Sequence, residues 1–108
     1  MAMTKPKIRV PKAELAAFCK RWQITEFALF GPVVSDNGNF GPESAVDAIA
    51  RFGPEARHTL LDLGRMEREL TSLFNQQVNL ISWRGLEQSG NRFHQERILG
   101  SAQVVYAA

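Results

Sequence analysis

Apolar residues recur at helical spacing in "PKAELAAFCKRW", where Leu15, Phe18, Cys19 and Trp22 stand at i, i+3, i+4 and i+7. Pro11 suits the first turn of that helix. "TEFALF", Thr25 to Phe30, is short, apolar and aromatic, and Gly31-Pro32 stops it, which predicts a buried strand. Residues 35–43 are dense in Gly, Asn, Asp and Pro and predict a loop. "VDAIARF", Val46 to Phe52, predicts a second strand with Val46, Ala48, Ala50 and Phe52 on one side and Asp47, Ile49 and Arg51 on the other.

Thr59, with Asp62 three residues on, has the form of a helix start. The stripe behind it is Leu60, Leu63, Met66, Leu70, Leu73 and Phe74. On the wet side Arg65 and Glu69 are spaced as an i, i+4 pair, and the run Arg65, Glu67, Arg68, Glu69 predicts a solvated face. Gly64 is a candidate for close packing. "VNLISW", Val78 to Trp83, predicts a third strand, "RGLEQSGN" a loop, and residues 92–106 a closing helix with Asn91 as its cap. The order helix, strand, strand, helix, strand, helix predicts a small α/β or α+β domain: one mixed sheet with helices packed on it.

At 108 residues the chain is long enough for one core, so residues 1–108 form a single domain, with 1–10 expected to be flexible. Thirteen basic residues against 11 acidic leave a net charge of +2, too mild to indicate nucleic acid on its own. A single cysteine, Cys19, excludes an internal disulfide and fits a reducing cytoplasm. On its apolar helix face it is a buried filler rather than a reactive thiol. No run has the length of a membrane span, and the N-terminus lacks the apolar stretch of a signal peptide, so a cytoplasmic protein is expected.

The chemistry concentrates in "GPVVSDNGNFGPESAVDAIARF". A phosphoryl-transfer site needs acidic oxygens converging on Mg²⁺, most economically two carboxylates at i and i+2 of a strand and a third from its neighbour. The triphosphate needs backbone N–H groups, helped by a glycine and a hydroxyl. Gly31 is placed to open a short helix after the first strand. Asp47 lies near the start of the second, with Ala45 on the same side, and Asn79 lies where a third carboxylate would come across.

"ALFGPVVSDNGNFGPESAVDAIARF", "LLDLGRMERELTSLFNQQVNLISWRGLE" and "NRFHQERILGSAQVVYAA" resemble the minimal nucleotidyltransferases of the DNA polymerase β superfamily, which are commonly encoded beside HEPN-domain toxins. The resemblance runs from about Leu15 to Ala108. It implies a nucleotidyltransferase-like fold, Mg²⁺ and ATP as cofactors, and a HEPN-type toxin as partner, with a homodimer as a milder expectation. The family pattern is Gly-Ser after the first strand, then Ser-Asp-x-Asp, then a later x-Asp-Leu. Carried over, Gly31, Pro32 and Ser44 fall at the nucleotide-binding positions, Ala45 and Asp47 at the paired carboxylates, and Asn79 at the third.

Three of those positions have lost their chemistry. Pro32 lacks both the hydroxyl and an N–H. Ala45 removes a charged ligand, and Asn79 keeps an oxygen without charge or basicity. Ser35 stands where the family often has Arg. Asp47 alone remains as a metal position, with a carboxylate bonded to backbone N–H groups at the sheet edge as its structural alternative. Rescue by Glu43 needs the loop to fold back, because its Cα lies roughly 13 Å from that of Asp47 in extended chain; Asp36 is the other candidate.

His58 and His94 have no ligand partners at metal spacing and are expected at the surface or in caps. Ser44 has no nucleophile-elbow context. Trp83 and Arg84 are candidates for stacking on a base, with a core or rim role for Trp83 preferred. The balance favours an inactive nucleotidyltransferase fold working as antitoxin and binding partner. The alternatives are an active enzyme passing AMP from Mg-ATP to a tyrosine hydroxyl of its partner, and a small nucleotide- or RNA-binding module.

Overall fold

A computed structural model describes residues 8–34, 40, 41 and 43–108, apart from the side chain of His94. Helix α1 spans Lys12–Arg21 and leads through Trp22 and Gln23 into strand β1, Ile24–Phe30. A 3-10 turn, Gly31–Val33, closes β1, and β2 follows at Val46–Phe52. Helix α2, Leu60–Phe74, crosses to β3, Val78–Ser82. Helices α3, Trp83–Gln88, and α4, Arg92–Ser101, precede the last strand, β4, Gln103–Ala107.

The four strands form one sheet in the order β3-β2-β1-β4. β1 pairs antiparallel with both β2 and β4, whereas β2 and β3 run parallel. A parallel pair needs a long crossover, and α2 supplies it. The expected sheet of mixed direction with helices on it is present.

Alternation along β2 sorts the two faces. Val46, Ala48 and Ala50 join Phe27 and Leu29 of β1 in the main core, under Leu15, Phe18 and Cys19 of α1 and Met66, Leu70 and Phe74 of α2. Ile49 turns to the other face, where a smaller cluster unites it with Ala28, Leu86 of α3 and Ile98 of α4. Cys19 is fully buried, and burial pushes its thiol up to about 12, as befits an inert filler.

The last segment departs from the expected closing helix. α4 ends at Ser101, and Gln103–Ala107 is a strand paired with Glu26 to Leu29 of β1. The helical spacing of Ile98, Leu99 and Ala102 runs into "QVVYA", whose β-branched valines suit a pleated edge. Pairing there satisfies backbone groups of β1 that would otherwise be exposed. The stretch expected as a loop after β3 also differs. Residues 83–88 form α3, started by Ser82, whose side chain accepts the Gly85 N–H at 2.9 Å.

Helix α2 carries the expected capping box: Thr59 Oγ1 accepts from the Asp62 N–H at 3.2 Å, and the Thr59 N–H donates to Asp62 at 2.9 Å. Its polar face is less solvated than expected. Glu67 accepts the Leu80 N–H of β3 at 2.7 Å, because a carboxylate is the nearest acceptor for an edge-strand donor. Glu69 pairs with Arg21 at 2.8 Å and accepts from Trp22 Nε1 at 3.1 Å, rather than pairing with Arg65. Leu60 drops out of the apolar stripe, being 85% exposed at the first turn. Gly64 does not mark close packing, since a Cβ there would meet nothing within 4 Å.

Replacing Thr59 by Ala is expected to lower stability by about 1 kcal/mol in urea denaturation. The Thr59 N–H bond holds the Asp62 carboxyl below its ordinary value of 3.8. Stability from this bond is therefore present above that value and is lost as pH falls through the lower folded value. The stability gap between the native chain and Asp62→Asn should close in acid and persist at neutral pH.

Candidate functional site

Several of the residues singled out in sequence meet where β1 ends. Phe30 pairs with Asp47, and the next residue, Gly31, takes φ +77°, a backbone conformation that side chains disfavour. The chain then turns through Pro32 and Val33, with the Val34 N–H donating to the Gly31 carbonyl at 3.1 Å. Pro32 is exposed in the first part of this turn, where its fixed φ is comfortable. The Asp47 carboxylate lies directly against Gly31: a Cβ there would sit 2.8 Å from Asp47 Oδ2. Glycine is thus required twice over, by its dihedral and by the carboxylate above it.

The parallel register between β2 and β3 sets Asp47 opposite Asn79. Asn79 Nδ2 donates to Asp47 Oδ1 at 3.4 Å, the orientation an acceptor-only carboxylate demands of an amide. Among the described residues, Asp47 is partnered by this side chain and by no backbone N–H. Where a metal site would place a second acceptor, this one places a donor.

Ala45 is half-buried just before β2 and brings no ligand atom. Ser44 is engaged in folding the loop. Its Oγ accepts the Gly41 N–H at 3.0 Å, and Gln76 Nε2 donates to the carbonyls of Gly41 and Ser44 at 3.0 and 2.9 Å. Glu43 is exposed. Ser35 and Asp36 lie outside the described residues, as does the His94 side chain. Among the described residues no three His, Cys, Asp or Glu side chains converge as a metal-holding group.

Mg²⁺ takes hard oxygen ligands and is normally held by carboxylates together with phosphates. Among the described residues, one carboxylate hydrogen-bonded to an amide, beside an alanine and a proline, does not fit that donor set.

No protein-family model and no curated protein matches this sequence. Solved structures do match its shape. A toxin-antitoxin structure with AMP-PNP superposes with a TM-score of 0.67 at 12% identity, over 91% of this chain and 74% of the other. A protein described as a minimal nucleotidyltransferase gives 0.62 at 24% identity, over 85% and 86%. The complex of a tri-AMPylated Shewanella oneidensis HEPN toxin with MNT antitoxin gives 0.60 at 10%, over 90% and 70%. The fold is that of the minimal nucleotidyltransferases. At such identities the likeness concerns the path of the backbone, and the chemistry of each position is that of this chain's own residues.

The nucleotidyltransferase-like sheet has a second feature at the opposite end of β2. Trp83 and Arg84, singled out in sequence, line a cleft of about 380 Å³ together with His58, Arg51 and Arg57. The Arg51 guanidinium lies over the Trp83 ring at 4.7 Å from its centroid. Trp83 also packs against the smaller core cluster, and its buried Nε1–H has no acceptor among the described residues. His58 is half-buried, 2.7 Å from the Trp22 carbonyl through Nε2 and edge-on to Trp22 and Phe52. Sequence patterning placed Arg51 on the Asp47 face without marking it as part of a site. Its partner Trp83 is 32 residues away and meets it only through the β2–β3 pairing.

Gly31→Ala is expected to destabilise the domain by about 2 kcal/mol, combining dihedral strain with the carboxylate clash. In the Asp47→Ala background the same substitution should cost about 1 kcal/mol less, because only the strain remains. A double-mutant cycle in urea measures the difference.

Proposed function

We propose that this chain is a nucleotidyltransferase-fold protein without catalytic capacity, acting as the antitoxin and binding partner of a HEPN-type toxin. The observation that carries the reading is the Asp47–Asn79 contact, which spends the remaining carboxylate on an amide donor where catalysis needs a second acid. Support for the partner class comes from the fold: matching structures are described as toxin-antitoxin complexes, one of them holding a HEPN toxin with MNT antitoxin.

An antitoxin lacking metal chemistry acts by occupancy. It covers surface that the toxin needs, and its efficacy follows the affinity of the complex rather than turnover. Gly31 and Asp47 keep the family's turn and one of its acids, but a triphosphate brings about four negative charges to a place where the nearest side chain, Asp47, is itself anionic. Without a divalent ion between them those charges repel.

Three measurements decide the matter. Co-expressed with a HEPN-type protein encoded beside it, the chain should co-purify as a stable complex and suppress toxicity. The partner should carry no adduct of AMP mass; an adduct that disappears with Asp47→Ala would defeat the non-catalytic reading. In calorimetry, Mg²⁺ should not strengthen ATP binding by the native chain. The variant combining Pro32→Ser, Ala45→Asp and Asn79→Asp should gain at least roughly tenfold in Mg²⁺-dependent affinity, since it restores two charges and a hydroxyl at the metal and phosphate positions.

A further inference from the structure

The cleft beyond the C-terminal end of β2 is independent of the Gly31–Asp47 site. Asp47 is the second residue of β2, whereas the cleft is lined from Ala50 onward, so Arg51 lies roughly 13 Å along the strand from Asp47. Its walls come from β2, the segment following it, α2 and the β3–α3 junction. The volume of about 380 Å³ lies in the range of small-molecule sites.

The lining has a consistent chemistry. Arg51, Arg57 and Arg84 bring three guanidinium groups against the single carboxylate of Glu87. Arg51 Nε lies 3.8 Å from the Glu26 carboxylate, with both side chains substantially exposed. Arg57 reaches backbone carbonyls of Pro54 and Ala56 only at 3.5 and 3.4 Å. Charged donors in forks of this kind match the paired oxygens of a phosphate or carboxylate. Between them, Phe52, Pro54, Leu63 and Trp83 offer apolar and aromatic wall. Among the lining side chains, charged donors outnumber carboxylate acceptors three to one.

We propose that this cleft binds a small aromatic oxyanion, its phosphate or carboxylate held by Arg51 and Arg84 and its ring seated against Trp83 and Leu63. Both parts are needed. The guanidinium groups are partly exposed and on their own hold an oxyanion weakly, while the apolar wall supplies burial only to a ligand that carries a ring.

The test is an NMR titration of the full chain with phenyl phosphate, benzoate and inorganic phosphate at constant ionic strength. The two tryptophan indole N–H signals are distinguished by Trp83→Phe. Phenyl phosphate or benzoate should shift the Trp83 indole and the amides of residues 50–58 and 82–87 saturably below roughly 10 mM; which of the two binds tighter identifies the head group. Inorganic phosphate should bind at least roughly tenfold more weakly. Arg51→Ala and Arg84→Ala, surface changes whose folding the same spectra report, should each weaken binding by roughly tenfold. Three results would overturn the proposal: no saturable shift with either aromatic anion, equal binding of inorganic phosphate, or shifts confined to residues 31–34 and 45–47. The last would place the ligand at the site of the proposed function instead, so the two readings fail separately.

Discussion

The parallel register of β2 on β3 is the constraint from which both ends of this domain take their character. Val46 opposite Val78 and Ala48 opposite Leu80 face the main core, where burial of each fixes the pairing without slippage. Because side chains alternate, the same register sets Asp47 beside Asn79 on the other face. At the far end it brings Ala50 beside Ser82, from which Arg51 and Trp83 meet one residue on. A slip by one position would bury the polar pair and expose the valines.

Hydrophobic burial and metal ligation are separable in such a fold. The main core is built by Phe18, Phe27, Leu29, Met66 and Leu70, and none of these touches the chemistry. The sheet therefore does not depend on carboxylates at these positions, and clustered negative charge there would add repulsion that only a bound cation would offset. Asn79 is the sharpest instance. In place of a second acid repelling Asp47, it offers a donor that satisfies it.

Much of this was legible in the chain because local and global signals agreed. Period-two alternation in "VDAIARF" and the capping box at Thr59 correctly placed β2 and α2, and the strand-ending Gly31-Pro32 gave the turn under Asp47. The misreadings share a cause. "QVVYA" continues the spacing of Ile98 and Leu99, so periodicity extends the helix, and only the free edge of β1 makes a strand of it. Glu67 and Glu69 look solvated on α2 alone, but β3 and α1 bring donors to them from 13 and 48 positions away. Of the arginine-lined cleft only Trp83 and Arg84 drew notice in sequence, because Arg51 meets Trp83 through long-range pairing.

Gly31 shows how geometry outlasts chemistry. Its left-handed dihedral lets the backbone pass beneath a carboxylate, and such a turn is strained for every other residue. In a working site that closeness delivers backbone N–H groups to phosphate beside a metal-bound acid. Here Pro32 has no N–H to deliver and Asp47 is held by an amide, yet the turn persists. It persists because it does structural work: it ends β1 and directs Val33 and Val34 into the main core, where both are buried. The backbone path is thus held by the packing of Val33 and Val34 and by the Val34 N–H bond to the Gly31 carbonyl, with no contribution required from a ligand.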